Sequence, residues 1–71
     1  HDVVVNNFAT IAPNAVVLGR VHIGAKAYIG ANATILPKID VAEETVVGAG
    51  AVVTKDTDPK STVIGIPAKK I

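Results

Sequence analysis

Aliphatic residues recur every six positions along this chain. Stepping by six from Val5 gives Ile11, Val17, Ile23, Ile29, Ile35, Val41, Val47 and Val53, every one of them Val or Ile, with no insertion. At the chain's aliphatic content such a run arises by chance with a probability on the order of 10⁻⁴, so the repeat reflects the fold. The fourth residue after each is also restricted: Ala9, Ala15, Val21, Ala27, Ala33, Ile39, Thr45, Ala51 and Thr57. The residue directly after is often small, as at Ala12, Gly24, Gly30, Ala42 and Gly48. This is neither the 3.6 period of a helix nor the period of two of a simple strand.

A period of six reads as a short strand plus a corner. Three hexads then close a triangular coil of about 18 residues. The first residue of each hexad points inward and stacks on its copy one coil later, and the small fourth residue fills the narrow interior. Val5, Ile23 and Val41 share the first face, Ile11, Ile29 and Val47 the second, and Val17, Ile35 and Val53 the third. Gly and Asn at the corners are expected to take positive φ. The pattern stops near Thr57, and Pro59 falls on the next inward position, where its missing N–H breaks a ladder. The prediction is an all-β parallel β-helix of about three coils over residues 1–58. A closing extended segment and C-terminal tail follow over 59–71. Three coils form a small core with open strand edges, which predicts a homo-oligomer, a trimer burying one face of each subunit.

Composition narrows the function. The chain has 71 residues and a net charge of +1, which gives no field to attract nucleic acid or an anionic membrane. It has no cysteine, hence no disulfide and no thiolate metal site, which suits the cytoplasm. No apolar run approaches membrane-spanning length. A chain that opens on His and not Met is expected to be part of something longer.

The runs Ile23–Pro37 (IGAKAYIGANATILP), Val47–Asp56 (VGAGAVVTKD) and Ile64–Lys69 (IGIPAK) resemble the hexapeptide-repeat acyltransferases. Together with the His-Asp start, they are most similar to the β-helix part of the NeuD/PglD-like sugar O- and N-acetyltransferases. The resemblance implies a left-handed, single-stranded coil and a homotrimer. It implies acetyl-CoA as co-substrate, held at a subunit interface, and a sugar or nucleotide-sugar acceptor.

It also assigns roles to residues. His1 matches the family's general base, which takes the proton from the acceptor amine or hydroxyl as that group attacks the thioester. Histidine suits this because its ordinary pKa lies near neutrality. Asp2 matches the acidic neighbour of that base. Ala31 and Ala49 match positions that contact acetyl-CoA through their backbone. Thr10 stands where close relatives carry a second His, so a hydroxyl replaces an imidazole there. Lys69 matches basic residues that approach the CoA phosphates.

From the residues alone, Ala31 and Ala49 share a column of small residues with Pro13, flanked by Ala12, Gly30 and Gly48. Such a column leaves a shallow groove for a pantetheine arm, or simply meets the needs of tight corners. His22 shares a column with Val4, Asp40 and Asp58 and reads as a solvated corner histidine beside a carboxylate. Lys55 and Asp56 read as solvent-facing. Three functions compete. The first is an acetyl-CoA-dependent acetyltransferase with direct attack on the thioester. The second is a non-catalytic trimeric β-helix core or fragment. The third is a zinc carbonic anhydrase on the same fold, which needs three histidines where the chain has two.

Overall fold

A computed structural model describes residues 2–71. Nine two-residue strands follow one another every six residues. They are β1 (Val4–Val5), β2 (Thr10–Ile11), β3 (Val16–Val17), β4 (His22–Ile23), β5 (Tyr28–Ile29), β6 (Thr34–Ile35), β7 (Asp40–Val41), β8 (Val46–Val47) and β9 (Val52–Val53). Two more, β10 (Thr62–Ile64) and β11 (Lys69–Lys70), close the chain. Each of β1 to β9 opens on its outward residue, one position before the aliphatic that the period picks out.

The strands form three parallel faces. Face A is β1-β4-β7, face C is β3-β6-β9, and face B runs β2-β5-β8-β10-β11. Val5 pairs with Ile23 and Ile23 with Val41; Ile11 with Ile29 and Ile29 with Val47; Val17 with Ile35 and Ile35 with Val53. The 18-residue stacking predicted from the hexads is therefore realised on all three sides. The fold is the left-handed parallel β-helix of the hexapeptide repeat, about three turns long.

The interior is a column of aliphatics. Ile23, Ile29, Ile35, Val41 and Val47 are fully buried, and Val21, Ala27, Ala33 and Ala51 fill the positions between them. Small and β-branched side chains suit this space because their few rotamers cost little to fix on a pleated surface. The first rung differs. Val5 is 46% and Ile11 40% exposed, since the described residues place no rung beneath them.

Every corner is a tight turn. Ala9, Ala15, Ala27, Ala33, Thr45 and Ala51 each donate their N–H to the carbonyl three residues earlier. The third residue of each turn has positive φ: Phe8, Asn14, Arg20, Lys26, Asn32, Lys38, Glu44 and Gly50. This is the second central position of a type II turn, which favours Gly or Asn. Only Asn14, Asn32 and Gly50 meet that expectation. At the others the closure of the coil overrides the local preference.

Gly24, Gly30 and Gly48 do not have positive φ. They are needed for a different reason, the close approach of the next rung. A Cβ on Gly24 would lie 2.5 Å from the Glu43 nitrogen, and one on Gly30 2.7 Å from the Ala49 nitrogen.

The C-terminal end closes by side chains where a strand would continue. Asp56 Oδ1 accepts the Asp40 N–H at 2.8 Å, and Thr57 Oγ1 accepts the Ala42 N–H at 2.9 Å. Asp56 is thus a cap on face A and not merely solvated. Buried Thr45 donates its hydroxyl to the Asp58 carbonyl at 3.1 Å. β10 then joins β8 with Val63 opposite Val47, so the last turn is shorter than the others. β11 returns antiparallel, with Lys69 opposite Ile64.

Candidate functional site

The predicted site residues fall on two corners and one face. Asp2 stands at the corner between faces C and A. It is exposed and lines an open cleft of about 470 Å³ with Gly19, Arg20, Pro37 and Lys38. His1 lies outside the described residues. Arg20 and Lys38 escaped the reading of the sequence. Their spacing from Asp2, 18 and then 36 residues, was the signal that could have found them.

Ala31 and Ala49 stand at the corner between faces B and C, one rung apart. The rungs lock together here: Gly50 N–H donates to the Ala31 carbonyl at 2.9 Å, and Asn32 N–H to the Pro13 carbonyl at 3.3 Å. The N–H groups of Ala31 and Ala49 find no hydrogen-bond partner among the described residues. The corner therefore offers two unpaired backbone donors, and Gly30 and Gly48 beside them add no side chain to cover them.

Thr10 and Lys69 mark the two ends of face B. Thr10 is exposed in β2, opposite Tyr28. Lys69 is exposed in β11, four strand-to-strand steps away, which is about 19 Å at ordinary sheet spacing. Lys69 forms no ion pair among the described residues. Its neighbour Lys70 is held by Asp58, Nζ to Oδ2 at 3.2 Å. Thr10, the alanine corner and Lys69 thus lie along one side of the prism, and Asp2 lies across face C from them. One copy of the chain does not bring the two groups together.

His22 is the outward first residue of strand β4, not a corner residue. Its Nδ1 is 3.5 Å from Asp40 Oδ1, and its Nε2 is 3.2 Å from Asn6 Nδ2. Both His22 and Asp40 are about half exposed. Asp58, expected in this column, lies outside it because the chain leaves face A before reaching that rung. Asp56 takes its place above Asp40.

The six-repeat profile of the bacterial transferase hexapeptide matches residues 2–37 and again 20–55. The chain belongs to the bacterial transferase hexapeptide family. Among solved structures, it is similar to a histidine-to-asparagine variant of perosamine N-acetyltransferase from Caulobacter crescentus, solved in complex with CoA and GDP-perosamine. That likeness has a TM-score of 0.97 and 31% identity over 99% of this chain and 33% of that one. It is also similar to the acetyltransferase domain of PglB from Neisseria gonorrhoeae, with TM-score 0.98 and 35% identity over 100% of this chain and 35% of that one. That domain has also been solved with acetyl coenzyme A. UDP-N-acetylglucosamine O-acyltransferase from Moraxella catarrhalis matches with TM-score 0.98 and 30% identity over 100% of this chain and 28% of that one. The chain thus spans about a third of the length of these hexapeptide transferases. No curated protein sequence matches it.

Proposed function

We propose that this chain is the β-helix part of an acetyl-CoA-dependent acetyltransferase acting on an amino or hydroxyl group of a sugar or nucleotide-sugar. The observation that carries this reading is the likeness, over essentially its whole length, to acetyltransferases solved with CoA and with a nucleotide-sugar.

The alanine corner suits the co-substrate. A pantetheine arm carries amide carbonyls, and the unpaired N–H groups of Ala31 and Ala49 are donors for them. Thr10 can offer a hydroxyl to the same track, and Lys69 a positive charge to its phosphates. Acetyl-CoA supplies the activated acetyl group as a thioester. His1 acts as general base, with Asp2 as its acidic neighbour. His1 removes a proton from the acceptor nitrogen or oxygen as that atom bonds to the acetyl carbon. The carbon–sulfur bond breaks, and the imidazolium returns the proton to the departing thiolate. With no Cys in the chain, direct attack is the simplest course.

A homotrimer completes the site in this reading. The Asp2 corner of one copy meets the Ala31–Ala49 corner of the next, and three-fold closure repeats the junction. Exposed Val16, Tyr28, Val46 and Ile64 supply apolar area for such contacts. Among the described residues no helix is long and apolar enough to cross a membrane. Use of acetyl-CoA as co-substrate supports a cytoplasmic setting for the reaction proposed here.

The test is release of free CoA thiol from acetyl-CoA in the presence of a panel of amino-sugar nucleotides and sugar alcohols. The protein has no thiol of its own, so a thiol reagent reads only product. Acceptor-dependent release is expected. A folded trimer that neither releases thiol nor binds CoA would instead be a non-catalytic core.

A further inference from the structure

The corner that carries Asp2 holds a feature that the proposed reaction does not use. Arg20 and Lys38 line the cleft there on successive rungs. The Lys38 N–H donates to the Gly19 carbonyl at 3.0 Å, which fixes the two turns directly over each other. Their backbones are then one strand spacing apart, about 4.8 Å. Neither Arg20 nor Lys38 forms an ion pair among the described residues, although Asp2 shares the cleft. Both occupy positive φ, at 61° and 65°, where glycine would be less strained. Two unpaired cations beside an open cleft of ligand size, held one rung apart, match the two charged centres of a diphosphate.

We infer that Arg20 and Lys38 form an anion subsite for the diphosphate of a bound ligand. The inference rests on the acetyltransferase reading, in which both CoA and a nucleotide-sugar acceptor carry a diphosphate. Arg20 presents its planar fork to one phosphate, and Lys38 acts as a point charge on the other. Asp2 limits the net charge of the cleft to +1, so binding there is salt-sensitive.

The test uses the double variant R20G/K38G. Glycine relieves both positive-φ positions, so the variant keeps its fold while losing both cations. Titration of the protein and the variant with CoA and, separately, with UDP and GDP reads the subsite. Loss of two charge-assisted contacts is expected to weaken one of these ligands by about 10- to 100-fold. If CoA weakens and the nucleotides do not, the subsite serves the co-substrate. If a nucleotide weakens and CoA does not, it serves the acceptor. Equal affinity of the variant and the parent for every ligand the parent binds overturns the inference and leaves the acetyltransferase reading intact. A parent protein that binds UDP or GDP but not CoA overturns that reading, while the subsite still stands or falls by the variant. A parent that binds none of the three overturns both.

Discussion

Replacing Gly30 with alanine is expected to destabilise the protein by about 2–4 kcal/mol, a large share of what a small domain has. The added Cβ would lie 2.7 Å from both the Ala49 nitrogen and the Val47 oxygen and 2.9 Å from the Gly48 carbon. All three are backbone atoms of the next rung, so no side chain can turn aside. The rungs must separate, and that weakens the bond from the Gly30 N–H to the Val47 carbonyl, 2.8 Å long in the structure. Gly50→Asn is the contrast. Gly50 has φ +71° but nothing within 4 Å of a built Cβ. Asparagine tolerates that conformation, so the change should cost under about 1 kcal/mol. Urea unfolding of both variants reads the difference. Equal midpoints would mean that the glycines serve local conformation and not the spacing of rungs.

That contrast also shows where the sequence could be read and where it could not. The inward column from Ile23 to Val53 was legible because one aliphatic per hexad has nowhere else to go once the coil closes. The corners were not. Phe8, Arg20, Lys26, Lys38 and Glu44 give no hint of positive φ, because the conformation is imposed by closure and not by their own preferences. Gly24, Gly30 and Gly48 stand out in the sequence only as small residues beside the aliphatic column; in the structure the neighbouring backbone excludes a side chain at Gly24 and Gly30, and the Ile64 side chain crowds Gly48. The break at Pro59 was visible. The caps that replace the missing strand were not, since Asp56 and Thr57 look like any polar pair near the end of a repeat. Within the candidate site, the column from Asp2 to Arg20 and Lys38 needed the 18-residue step applied to charged residues as well as to aliphatics.

Changing His1 to Asn should lower kcat by about 10²- to 10⁴-fold, the usual worth of a positioned general base. Affinity for CoA should not change, because the donors proposed for CoA lie on the Ala31–Ala49 corner, and neither of them is altered. Steady-state kinetics beside a CoA titration separates the two effects. Loss of CoA affinity in step with kcat would assign His1 to binding. An unaltered kcat would leave the proton to some other group.

In the proposed function, the alanine corner between faces B and C receives the acyl-CoA arm through its backbone N–H groups. Amide-resolved NMR of the protein during titration with acetyl-CoA measures this directly. The Ala31 and Ala49 N–H resonances are expected to move together and saturate together, with Gly30 and Gly48 following. Resonances of Ala31 and Ala49 that stay fixed at saturating acetyl-CoA would contradict it.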